Sequence, residues 1–176
     1  MNATQIMDPL AIDRALSRMA HEIVENNPQL DHLAFIGLRT DGVPLAHRLA
    51  AKVGAITRRE FEVGELDITM HRDDLSLRGN PRGAGPSHIL FDVTGKTIVL
   101  VDDVLFTGRS IRAAMDELND FGRPRRIQLA ILVDRGHREL PIRPDFVGKN
   151  VPTSAKERVH VRLMETAGAD EVLIEK

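Results

Sequence analysis

The feature that most constrains this chain is Thr97-Ile-Val-Leu-Val101, an apolar and largely β-branched run that ends in Asp102 and Asp103. A β-branched stretch with no polar face suits the centre of a parallel sheet, where helices cover both surfaces. The two acids then fall at the carboxyl end of a strand, which is where open α/β sheets bind their ligands.

The flanking sequence supplies the rest of such a sheet. Asp8 is a good N-cap and Pro9 suits the first helical position, and Ile12, Ala15, Leu16, Met19, Ile23 and Val24 keep the helical period up to Asn26-Asn27-Pro28. Leu33–Leu38 predicts a strand, and Pro44 opens a second helix through Leu45, Ala46, Leu49 and Val53. Phe61–Met70 reads as a strand of mixed polarity, near an edge. His71–Ser87 loses periodicity and gathers Gly, Pro, Arg72, Arg78 and Arg82; loops of this length are usually functional or mobile. Ile89–Phe91 and Lys96–Asp102 flank Asp92-Val-Thr-Gly95, which predicts a hairpin. Asp103–Arg109 reads as a loop and Ser110–Phe121 as a helix ended by Gly122 and Pro124. Strands are expected at Ile127–Val133, Val159–Met164 and Glu171–Glu175. The alternation implies an α/β fold with a doubly wound, mainly parallel sheet flanked by helices, in one domain over residues 1–176.

Composition narrows the function classes. The chain has 176 residues, 42% hydrophobic and 28% charged, so it is expected to hold one ordinary core. With no Cys there is no disulfide, thiolate nucleophile or thiolate-bound metal. No apolar run approaches the roughly 20 residues of a membrane span, and Met1–Pro9 has no basic residue for a secretion signal. A cytoplasmic location is the expectation. The formal charge of −2 excludes a global basic footprint, although basic residues crowd Arg123–Lys149 against only Asp134, Glu139 and Asp145. Six Phe with no Trp or Tyr make a base-stacking platform improbable.

The segment Val99–Ser110 carries the chemistry. A buried strand ends in adjacent acids, and Thr107-Gly108-Arg109-Ser110 leads into a helix. A helix start presents N–H donors and a positive dipole end, a ready phosphate site. Gly108 permits close backbone approach, and Thr107 and Ser110 add hydroxyls. Carboxylates accept hydrogen bonds from a sugar diol and favour a developing cation. Phosphate cradle and diol acceptor together describe a ribose 5-phosphate site. The nucleotide-triphosphate P-loop pattern is absent.

Val99–Ser110 resembles the phosphoribosyl-pyrophosphate signature of the type I phosphoribosyltransferases. Ser17–Ile23, Leu66–Thr69, Arg72–Leu75, Phe91–Lys96, Val133–Leu140 and Pro144–Thr153 resemble one subgroup, the pyrimidine-operon attenuation regulators that are also uracil phosphoribosyltransferases, the PyrR family. The resemblance runs from about Asp8 to Glu175. It implies the type I fold with a small hood region and a mobile loop over His71–Ser87. It implies that uracil and phosphoribosyl pyrophosphate give UMP and pyrophosphate, with Mg²⁺ bound mainly through the donor and water rather than by protein ligands. Asp102, Asp103, Arg39 and Arg72 are then the catalytic candidates. Thr40, Val104, Leu105, Phe106, Thr107, Gly108, Arg109 and Ser110 match substrate and phosphate positions. Arg18, His21, His137, Arg138, Arg143 and Lys149 match a basic surface for pyrimidine-operon leader mRNA, which implies a homo-oligomer, a dimer or higher.

Two positions depart from the family pattern. Asp41 stands where a second Arg is common in the pyrophosphate loop, and His71 stands for a Tyr. A 6-oxopurine phosphoribosyltransferase is the rival enzyme. Those enzymes carry an acid where this chain has Phe106 and a Lys where it has Asp134, and Phe106 cannot exchange a proton with a purine. The other alternative is a plain salvage enzyme whose basic face is only solvated.

Overall fold

The computed structural model describes residues 3–69 and 86–176. Strand β1 (Ala3–Met7) is followed by α1 (Pro9–Asn26), a 3₁₀ turn, β2 (Leu33–Leu38), α2 (Gly42–Thr57) and β3 (Val63–Leu66). Then come β4 (Thr97–Leu105), α3 (Arg109–Asn119), β5 (Arg126–Asp134), β6 (Phe146–Asn150), β7 (Arg158–Arg162), α4 (Met164–Ala167) and β8 (Glu171–Glu175).

Five strands form a parallel sheet in the order β3-β2-β4-β5-β6, with the apolar run of β4 at its centre. The strand alternation divides β4 between two cores. Val99 and Val101 face α1 and α2 with Phe35, Leu49 and Leu132, whereas Ile98 and Leu100 face α3 with Ile36, Ala114 and Ile131. This is the doubly wound arrangement, and β3 takes the edge that its mixed polarity indicated. Helix α1 starts as its sequence requires, with the Asp8 carboxylate accepting from the Ala11 N–H at 2.7 Å and Pro9 in the first turn.

Four expectations are corrected. Ile89–Phe91 forms no strand and there is no hairpin with β4; instead the neighbouring His88 makes an isolated antiparallel bridge to Glu65. The loop expected from Asp103 begins only after Leu105, because Val104 and Leu105 stay paired with Val133 and Asp134 of β5. Helix α2 begins at Gly42, ahead of Pro44, and Pro44 sits within its first turn. The last two strands do not extend the parallel sheet. They pair antiparallel in a separate sheet of order β1-β8-β7, to which β1, unassigned from sequence, adds an edge. The expected mobile loop lies almost wholly outside the described residues, as does Arg72.

Two glycines bring the loop after β2 against β4. A Cβ on Gly37 would meet the Gly42 carbonyl oxygen at 2.4 Å, and one on Gly42 would lie 2.4 Å from the Val101 oxygen and 3.2 Å from the Asp102 Cα. Backbone therefore packs on backbone at the ends of β2 and β4, and neither position has room for a methyl group. Gly42→Ala is expected to destabilise the protein by about 2–3 kcal/mol, the usual cost of overpacking a site that cannot yield. Denaturant unfolding measures it, and a change below about 0.5 kcal/mol would mean that the contact is loose.

Candidate active site

Asp102 and Asp103 stand half-buried at the end of β4, where the cover of the two cores gives out. The Asp102 carboxylate accepts from the Asp103 N–H at 2.9 Å, and Asp103 accepts from the Val104 N–H at 2.7 Å. Burial drives the Asp102 carboxyl well above the ordinary carboxylate range, and the charge of Asp103 adds to the rise. Burial also raises Asp103, while hydrogen bonds from its neighbours work against the rise. Asp41 contributes negative charge to both. Such a pair is poised to accept hydroxyl hydrogens and to attract positive charge that develops beside it.

Beyond the pair the chain turns through Phe106, Thr107 and Gly108 into α3. Gly108 is buried and left-handed, with φ of 92°, and a Cβ there would touch Ile142 at 3.4 Å. It starts the helix without a capping side chain, while the Thr107 hydroxyl accepts from the Arg109 N–H at 3.3 Å. The half-buried Ser110 follows in the first turn. A helix start of this form directs donors and its positive end toward an anion.

The segment after β5 holds this turn from behind. The Arg135 N–H donates to the Leu105 carbonyl at 3.1 Å, and those of Glu139 and Leu140 to the Thr107 carbonyl at 2.9 and 3.3 Å. Arg138 donates to the Phe106 carbonyl (2.8 Å), the Ile142 carbonyl (2.9 Å) and the Asp134 carboxylate (2.6 Å). Arg109 pairs with Glu139 at 2.8 Å. The Arg135 guanidinium lies 4.1 Å from the Phe106 ring centroid, and the His137 ring meets Phe106 edge-on at 5.7 Å. Arg135 is only 7% exposed and donates to the Thr153 hydroxyl and to the carbonyls of Ser154 and Glu157. Sequence reasoning placed Arg138 on an open basic face and passed over Arg135. A buried cation on an aromatic ring has no sequence signal beyond an Arg directly after a strand-ending acid.

The loop after β2 carries Arg39, Thr40 and Asp41, and its Arg39–Thr40 peptide is cis. Arg39 donates twice to Glu65, at 3.1 and 3.2 Å, and its guanidinium lies 3.9 Å from Asp67. Glu65 was not foreseen as its partner. Asp41 accepts from the Thr166 hydroxyl of α4 at 2.7 Å. Nearby, Arg48 of α2 reaches Glu165 at 2.8 Å and Asp170 at 2.8 and 3.0 Å, so the small sheet's connecting segment is pinned beside this loop.

The other basic candidates lie on α1 (Arg18, His21), on the edge strand β6 (Lys149) and in the segment before it (Arg143). Arg18 donates to the Val147 and Gly148 carbonyls at 3.0 and 2.6 Å and to Glu22 at 2.8 Å. Lys149 donates to the Ile6 carbonyl at 3.0 Å, while His21 and Arg143 are exposed. His137 hydrogen-bonds the Thr153 carbonyl and belongs to the turn's surroundings rather than to α1.

A phosphoribosyl transferase domain model matches residues 2–165 of the chain. A bifunctional protein PyrR of Chloroflexus aurantiacus is 58% identical over 173 residues, spanning 98% of this chain and 95% of that protein. A second, from a Roseiflexus species, is 57% identical over 175 residues, at 99% and 96% coverage. The chain belongs to the PyrR family of phosphoribosyltransferases. Among solved structures, a hypoxanthine-guanine phosphoribosyltransferase from Bacillus anthracis superposes with a TM-score of 0.74 at 13% identity, covering 98% of each chain. The enzyme from Leishmania tarentolae, solved with GMP, gives 0.71 at 16% identity, covering 100% of this chain and 99% of that one. These likenesses establish the type I phosphoribosyltransferase fold, and the PyrR relatives place the chain within it.

Two expectations follow for this PyrR-family site. The folded protein holds the Asp102 pKa above its unfolded value of about 3.9, so ionisation there disfavours folding; the penalty is absent below that value, grows as pH rises toward the folded one and is complete above it. Asp102→Asn keeps an oxygen acceptor and removes the charge. It should melt higher at pH 7, by about 3 °C or more, and lose the gain as pH falls below about 4. Melting curves at both pH values check this. Arg138→Ala should loosen the turn and destabilise the protein by about 1–3 kcal/mol, read by denaturant unfolding, since three acceptors lose a charged donor.

Proposed function

We propose that this chain transfers a phosphoribosyl group from phosphoribosyl pyrophosphate to uracil, giving UMP and pyrophosphate, and that it also binds pyrimidine-operon leader mRNA to regulate attenuation in response to UMP. One observation carries the enzyme reading: the half-buried carboxyl pair near the end of β4 is followed, after residues 104–107, by a left-handed glycine that opens α3. The 5′-phosphate sits on the turn and helix start, against the Thr107 and Ser110 hydroxyls and the backbone N–H groups from Phe106 to Ser110. Val104 and Leu105 carry the ribose side of the site. The carboxylates of Asp102 and Asp103 accept the ribose hydroxyls. As pyrophosphate departs, the sugar carbon gains positive charge, and the fixed carboxylates stabilise it in a water-poor setting. Arg39 and Thr40 meet the leaving pyrophosphate, and Arg72 belongs to the loop that covers the donor.

Phosphoribosyltransferases take their donor with Mg²⁺. The hard oxygen set at the end of β4 fits an ion that arrives on the donor, and the carboxylates of Asp102 and Asp103 accept from its water shell. An ion carried in on the donor would supply positive charge to offset that of the departing pyrophosphate. Among the described residues no group of three or more His, Asp or Glu side chains forms a site of its own.

Phe106 supports a pyrimidine over a purine, because the ring fixed by Arg135 can neither give nor take a proton. For RNA, the exposed His21 and Arg143 with Arg18 and Lys149 along α1 and β6 form the phosphate-contacting face, and a dimer or higher oligomer extends it. Arg138 and His137 act behind the turn, so their effect on RNA runs through the nucleotide site.

The test combines turnover and RNA titration. Uracil should be turned over far faster than guanine or hypoxanthine. Asp103→Asn should lower kcat by about a hundredfold or more while the fold is retained. Lys149→Ala should weaken leader-RNA binding and leave uracil turnover almost intact, reducing the salt slope by about 0.7 for a contact to single-stranded RNA. Preferred turnover of a purine would move the chain to the other enzyme class. Leader RNA bound no better than a scrambled sequence, with no response to UMP, would leave a plain salvage enzyme.

A further inference from the structure

Asp41 is held where a carboxylate works against the loop's own task. Gly42 lies directly on the backbone of Val101 and Asp102, so the residue before it is brought beside the acid pair. Asp41 starts α2 yet caps none of its N–H groups. Its carboxylate instead accepts the Thr166 hydroxyl at 2.7 Å, and α4, which carries Thr166, is anchored to α2 through the bonds of Arg48 to Glu165 and Asp170. The carboxylate is thereby held by a side chain from the other end of the chain. Its charge already reaches Asp102 and Asp103, whose carboxyls it helps to raise. The one cation of this loop, Arg39, shares its charge with Glu65 and Asp67.

We propose that Asp41, positioned by Thr166, is a selectivity residue that weakens the hold on pyrophosphate-bearing ligands relative to the nucleoside monophosphate. This rests on the assignment of residues 39–42 to the pyrophosphate under the proposed function. A nucleoside monophosphate places its anion on the turn before α3 and leaves the 39–42 loop without an added charge. A donor or free pyrophosphate adds a polyanion beside Asp41, Asp102 and Asp103. Repulsion between like charges near a protein surface is expected to favour the monophosphate by about fivefold. Pyrophosphate then leaves early and UMP stays, so occupancy of the site reports UMP rather than donor.

The variants are Asp41→Asn, which keeps an acceptor for Thr166, and Thr166→Val, which keeps the charge and frees it. Inhibition by Mg-pyrophosphate and the donor KM are read against UMP affinity from calorimetry, with melting curves for each protein. Asp41→Asn should tighten pyrophosphate and lower the donor KM about fivefold, with UMP affinity changed less than twofold. Thr166→Val should shift pyrophosphate in the same direction by a smaller factor. Weaker pyrophosphate binding in Asp41→Asn would overturn the proposal and make the carboxylate a holder of the donor's metal. So would an equal change for UMP and pyrophosphate, or no change in either. If the parent protein turns over uracil but Asp41→Asn leaves all these constants unchanged, only the selectivity role fails; if the parent binds neither donor nor pyrophosphate, the loop assignment itself fails.

Discussion

A strand can be apolar on both faces only where both faces are covered, and β4 is the strand on which this structure turns. Its odd and even residues belong to different cores, so α1 and α2 on one side and α3 on the other must close over it. Where that cover ends, the next two residues are acids. They leave water for a half-covered setting in which each carboxylate feels the other and ionisation is disfavoured. A folding preference and a chemical preference conflict at these positions. The rest of the fold outweighs the conflict, as is common where sites are built at the ends of well-packed elements.

The turn after β4 is rigid for reasons that lie elsewhere in the chain. Its carbonyls are received by the backbone and side chains of the segment from Arg135 to Ile142, and its exposed aromatic ring rests on the Arg135 guanidinium. Donors aimed at an anion help only if they need not reorganise when it binds. The same contacts link the turn to the segment that carries His137 and Arg138, while Arg18 and Lys149 occupy the α1 and β6 side. In the sheet, β5 stands between β4 and the β6 side.

The small sheet adds a further constraint. It joins the two ends of the chain, since β8 pairs with both β1 and β7. Its connecting segment reaches the 39–42 loop through Thr166 and α2 through Arg48. Hydrogen bonds from Arg48 hold the Glu165 and Asp170 carboxyls below their usual range, so this anchor stays charged over the neutral pH region.

The local sequence determined much of this protein. The period of α1 with its Asp8–Pro9 start, the strand Leu33–Leu38, the central strand with its acid pair and the helix after Gly108 could all be read because each follows from near-neighbour rules. The acid pair and the turn that opens α3 were legible for the same reason: both lie in one run of twelve residues, Val99–Ser110. Tertiary structure decided what depends on residues far apart in the chain. β1 and β6 were not evident because short, mixed strands become strands only by finding an edge. The partners of Arg138 were not legible because a basic residue looks the same in sequence whether its acceptors are water or the carbonyls of Phe106 and Ile142. Asp41 looked like a local departure from a loop pattern, and only its bond to Thr166, contributed from the other end of the chain, shows that its carboxylate is held in place.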